Sequence, residues 1–173
     1  MKRRQWIVYG LAILVAGIGG QMTALGLDAE YDTAEVTVLK VSGAHPATSP
    51  TTGTITFNSS DGTFDLVTSD NDFTGTYTVA KNGKQVAFAL DESGTSELEI
   101  VIISGIQDIA EGEGITLSNL TLSDVKVKIT NATVNKSGNP EKTTITVTGK
   151  ATAGADGRSV TRSFSYKSVV VFS

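Results

Sequence analysis

The chain has no cysteine, so no disulfide cross-links it, no lipid is attached through a cysteine, and a thiol nucleophile is excluded. Its fold must rest on its core. Histidine is nearly absent: His45 is the single imidazole, in a loop with Pro46 and Pro50. Zinc and haem sites built from clustered His and Cys are therefore excluded, and a Ser-His-Asp relay has one candidate base. No catalytic constellation emerges, so neither an enzyme nor a cofactor is expected. Tryptophan occurs once, as Trp6, and aromatics make up 6% of the chain. Basic residues are scarce beyond the N-terminal segment. After Gly26 there are 11 Lys+Arg against 18 Asp+Glu, a net charge of −7. Such a surface repels nucleic acid and anionic membranes.

What is present begins with an export layout. Lys2, Arg3 and Arg4 precede an apolar run from Trp6 to Gly20, and a small-residue stretch follows. Ala24 and Gly26 stand at −3 and −1 of a cleavage after Gly26. The alternative is a retained anchor, but the strongly apolar core is shorter than the ~20 residues that span a bilayer. The expected organisation is a signal peptide over 1–26, a flexible polar lead-in over 27–33, and a single β-rich domain over 34–173. That domain is expected to be exported, periplasmic or extracellular, without stable membrane insertion once the signal is removed. Four Asn-x-Ser/Thr sequons, at Asn58, Asn119, Asn131 and Asn135, are what a Thr- and Ser-rich chain supplies by chance.

Alternating apolar residues dominate the rest. Ala34 to Val41 (AEVTVLKV) reads as a strand, SGAHPATSPTTG as a loop, and three Gly-Thr openings at Gly53, Gly62 and Gly75 as strand starts. Asp61-Gly62, Asn82-Gly83 and Asp156-Gly157 predict two-residue hairpin turns. Between Ile115 and Val134 the apolar parity switches repeatedly, which requires bulges or bends. A long strand then places Ile145, Val147, Gly149, Ala151 and Ala153 on one face, small residues filling its far half.

Ser96 to Gly114 (SELEIVIISGIQDIAEGEG) departs from this pattern. Leu98, Ile102, Ile106 and Ile109 recur at helical spacing with Val101, Gly105 and Ala110 beside them, while Ile100 faces away. A helix over about 96–110 is predicted, with Ser96 and Glu99 as a capping box and Gly112 as its stop. A lone amphipathic helix among hairpins must bury its stripe on a sheet. The fold class is therefore α+β, mainly β: an antiparallel meander of about eight strands forming a curved sheet or incomplete barrel packed on one helix. An all-β barrel or sandwich is the alternative. The arrangement resembles lipocalin-like carriers in architecture alone, since the Gly-x-Trp motif of that family is absent after Trp6.

A sheet with small side chains facing an Ile-rich helix leaves room for an apolar cavity. The expected ligand-binding residues are Val101, Ile102, Ile106, Ile109, Val147, Ala151 and Ala153, and the expected partner is a small apolar ligand or lipid. A non-catalytic cell-surface interaction or adhesion module, with another surface protein as partner, is the alternative. Asp61, Asp70 and Asp72, with Asn71, are the weaker candidates for calcium, as oxygen ligands at adjacent turns. Asp and Asn are also ordinary turn formers, and neither stretch has the length or pattern of a known calcium loop.

Overall fold

The computed structural model describes residues 30–173; the expected signal peptide over 1–26 and the first three residues of the expected lead-in lie outside the described residues. Nine strands and one helix follow in the order β1 (Glu30–Val41), β2 (Ala47–Asn58), β3 (Thr63–Thr68), β4 (Asp72–Val79), β5 (Gln85–Leu90), α1 (Glu92–Gly112), β6 (Ser118–Ile129), β7 (Ala132–Thr133), β8 (Lys142–Ala155) and β9 (Arg158–Phe172). All pairings are antiparallel, in the spatial order β6-β8-β9-β1-β2-β3-β4-β5-β7. β6 and β7 lie at opposite ends of that order, yet only Thr130 and Asn131 separate them in sequence. The sheet therefore curls into a half-barrel, and α1 packs inside it against β4, β1, β5 and β6. The fold class matches the α+β, mainly β, curved-sheet expectation. No helix among the described residues is long and apolar enough to cross a membrane.

One hydrophobic core occupies the concave side. Its aromatics gather at one end, where Phe57 meets Tyr31, Tyr77 and Phe88 at centroid distances of 5.9, 4.9 and 6.0 Å, and Phe88 also meets Phe64 and Phe172. Leu98, Ile102 and Ile106 of α1 are buried in the same core, while Ile100 is exposed as its position on the wheel requires. Burying each of these Leu and Ile side chains contributes about 1.5–3 kcal/mol.

Several local expectations need correction. The helix starts four residues earlier than expected, so the Ser96/Glu99 capping box does not form. Asp91 is the N-cap: its carboxylate accepts from Gly94 N–H at 2.8 Å and from the Thr74 hydroxyl at 2.8 Å. Asp91 with Glu92 in the first turn is itself a helix-start signal, and the Thr74 hydroxyl of β4 secures it. At the other end Gly112 is the last helical residue and Gly114, with φ +74°, makes the turn. Ile115 N–H bonds Ala110 C=O at 2.8 Å and Gly114 N–H bonds Glu111 C=O at 2.9 Å, the paired bonds of a Schellman close.

Part of the expected lead-in is strand, since Glu30 to Thr33 pair with Thr56 to Gly53 of β2, anchored by the Tyr31 ring on Phe57. The loop expected over 42–53 is likewise shorter, because β2 begins at Ala47. Pro50 is accommodated there because β3 pairs with β2 only from Gly53 onward, leaving the preceding residues with an open outer edge. Gly53 and Gly75 consequently lie inside strands. Of the three predicted two-residue turns, only Asp156-Gly157 is one; Asp61-Gly62 ends the four-residue loop 59–62, and Asn82-Gly83 lies within the five-residue loop 80–84. The bulges expected after Ile115 are found in β6, whose pairing with β8 shifts register between Ser118 and Thr121 and again between Ser123 and Lys126. Asn119 and Asp124, at φ 52° and 53°, sit within those shifts.

Candidate functional site

The inner face of β8 carries Ile145, Val147, Gly149, Ala151 and Ala153, paired with Ser168, Tyr166, Phe164, Arg162 and Val160 of β9. Down to Gly149 the volume is filled. An added Cβ on Gly149 would stand 2.8 Å from the Phe164 ring, so the ring occupies the space the glycine leaves. Beyond it, Ala151 and Ala153 are too small to reach α1, and their partners on β9 are not aromatic.

A cleft of about 540 Å³ opens at that point. Its floor is Ile106, Ile109 and Ala110 of α1, its walls Ala151, Ala153 and Val160, and its far side Ile115, Leu117 and Leu120. Val41 to Ala44, Glu113, Ala155, Asp156, Arg158 and Arg162 form the rest of the lining, and the charged members are exposed at the mouth. No aromatic residue lines it. The volume lies within the ~300–1,000 Å³ typical of small-molecule sites. A second groove beside it, lined by Thr116, Ser118, Asn119, Thr152, Gly154, Gly157 and Ser159, shares Ala153, Asp156 and Arg158 with the cleft.

Of the sequence-predicted ligand residues, Ile106, Ile109, Ala151 and Ala153 are brought together around this cleft. Ile102 and Val147 are not: they are 1% and 0% exposed in the filled core. Val101 is half-buried against the core and also lies outside the lining. Periodicity identified the face but not the depth. Arg158 and Arg162, Leu117 and Leu120 were missed. The signal for the arginines was their parity with Phe164 and Tyr166, which turns them toward the concave side.

The oxygen-ligand candidates do not converge. Asp61 precedes β3 and Asp70 and Asp72 follow it, so these consecutive turns of the meander lie at opposite ends of a six-residue strand, about 20 Å apart. Asp61 is engaged locally, accepting from Thr63 N–H at 3.1 Å and from the Thr63 hydroxyl at 2.6 Å. Asp72 instead lies beside Asp65; hydrogen bonding to Asp72, partial burial and its like charge push the Asp65 carboxyl up to about 6. Among the described residues no three His, Cys, Asp or Glu side chains group as metal ligands. His45 is exposed, and its backbone N–H donates to Glu113 at 3.2 Å.

One buried ionisable group lies elsewhere. Glu35 of β1 is 7% exposed and accepts from the Ser168 hydroxyl, with Tyr166 beside it. Burial pushes its carboxyl up, and the Ser168 and Tyr166 hydroxyls partly offset this by bonding the charged form. Burial and the Glu35 charge raise the Tyr166 phenol in turn. Glu35 is outside the cleft lining, so this cluster fixes β1 to β9 rather than facing a ligand. Comparison of the chain with protein-family models, with curated proteins and with solved structures finds no match.

Proposed function

We propose that this chain is an exported, non-catalytic binder of a small apolar ligand or lipid, taken up in the cleft between the C-terminal half of α1 and the β8–β9 arm. One observation carries the reading. The apolar core is close-packed with aromatics at one end of the half-barrel, while at the other a cleft of about 540 Å³, apolar along Ile106, Ile109, Ile115, Leu117 and Leu120 and charged at its mouth, is left open. Apolar side chains at an open cleft stay in contact with water, and covering them with an apolar ligand is favourable by about 25 cal/mol per Å² of apolar area removed from water. The acidic balance after Gly26 argues against a nucleic-acid partner.

The test is extraction of the purified protein with organic solvent and mass spectrometry of the extract, with uptake of a neutral polarity-sensitive dye, Nile red, as a second measurement. Co-purifying lipid or saturable dye uptake supports the proposal. The absence of both co-purifying lipid and dye uptake overturns it.

A second reading, a surface interaction module, has its own support on the convex face. Val36, Val67 and Val171 are 47%, 47% and 43% exposed there, and Val36 pairs with Val169. Replacing Val36 and Val171 by Thr should abolish any partner binding that uses this face and leave dye uptake unchanged.

A further inference from the structure

We infer, building on the cleft-binding reading above, that the ligand is an anionic single-chain amphiphile of the fatty-acid class, its head group held by Arg162 with Arg158 in support. The described residues contain nine lysines and two arginines. Both arginines line the cleft and none of the lysines does. They share the inner face of β9 with Val160 between them, opposite Ala151, Ala153 and Ala155 of β8, and stand roughly 13 Å apart along the strand. Neither has an ion-pair partner among the described residues, where the one salt bridge joins Lys150 to Asp124 at 2.8 Å.

An acidic domain that places its two arginines, and no lysine, beside an apolar volume offers the planar donor fork that pairs with a carboxylate. Acidic residues in the lining decide between the two. Asp156 lies two residues from Arg158 and six from Arg162, and Glu113, which accepts from the His45 backbone N–H, forms an ion pair with neither arginine. Arg162 is thus the less neutralised cation and the primary anchor. The alkyl chain then lies on Ile106, Ile109 and Ile115. The competing explanation is that the arginine stems merely cover Ala151 and Ala155 while the charged ends stay in water.

Displacement of bound Nile red by dodecanoate, dodecanol and dodecyltrimethylammonium separates these accounts. Dodecanoate should displace the dye at about tenfold lower concentration than dodecanol, with the cationic amphiphile weakest. Arg162→Met, which keeps the stem and removes the charge, should bring dodecanoate to the level of dodecanol and leave dodecanol unchanged; Arg158→Met should have the smaller effect. Circular dichroism and the melting temperature of each variant establish that it is folded. Equal displacement by dodecanoate and dodecanol, or an Arg162→Met variant that retains the preference, overturns the head-group inference while the cleft reading stands. Dye uptake with no displacement by any of the three overturns the inference, and absence of dye uptake overturns both.

Discussion

Phe164 lies over Gly149, its cross-strand partner, and marks where the packed core of the half-barrel ends. One pair farther along the inner face, Ala151 meets Arg162, whose charged end cannot fill an apolar volume, and the cleft begins. The Gly149 position should therefore resist enlargement. Gly149→Ala is expected to cost about 1–3 kcal/mol as the ring is forced aside. Gly75→Ala should cost more, because its Cβ would clash with the backbone oxygen of Ala89 as well as with the Phe64 ring. Urea denaturation of both variants checks the order.

Depth along α1 sets a second expectation. Ile102, 1% exposed in the filled core, should lose about 2–5 kcal/mol on truncation to Ala, whereas Ile109, which already borders open volume, should lose roughly half of that or less. Ile100→Ala should be near silent. Equal losses at 102 and 109 would mean that the cleft is closed in solution.

The helix start can be tested by its cap. Asp91→Ala should cost about 1 kcal/mol, and Ser96→Ala, at the position of the expected capping box, close to nothing. The hydrogen bond from Gly94 N–H and that from Thr74 hold the Asp91 carboxyl below its ordinary value of 3.8. A depressed carboxyl stabilises the fold above its unfolded value, and that stabilisation is lost as pH falls through the folded value. Asp91→Ala should therefore flatten the acid limb of the stability profile.

Asp65 and Glu35 act in the opposite sense. The Asp65 carboxyl is pushed up to about 6 from 3.8, and that of Glu35 is raised from 4.5. Between the unfolded and folded values the native state holds protons that the unfolded chain has released, so stability falls as pH rises from about 4 to 6 and levels off above. Asp65 is exposed, so its share is reduced by solvent screening. Asp65→Asn should reduce the decline and Asp65→Asn with Glu35→Gln should remove it, as read by urea midpoints across that range.

The sequence made much of the architecture legible because periodicity is a local signal. The hairpins, the buried stripe of α1 and the broken register of β6 follow from spacing alone. What escaped depends on contacts distant in sequence. In β1 the more apolar parity, Ala34, Val36 and Val38, faces outward, while Thr33, Glu35 and Thr37 face the concave side. Tyr31 and Leu39 share the inward parity with them and pack against the core, and Ser168 supplies the partner that makes a buried Glu35 tolerable. The small residues of β8 pointed to open space, but its location at the mouth rather than around Ile102 and Val147 depends on Phe164 filling the volume over Gly149. Nothing in the spacing of β8 itself reveals that.

The most direct measurement is the melting temperature of the protein and of Ala151→Leu with increasing dodecanoate. A ligand that binds the native state raises the melting temperature in proportion to the logarithm of its concentration above Kd. The unmodified protein should show this rise, and Ala151→Leu, folded by circular dichroism and with its cleft filled from the wall, should not. A melting temperature that is indifferent to dodecanoate in the unmodified protein, or that rises equally in both, would contradict the account.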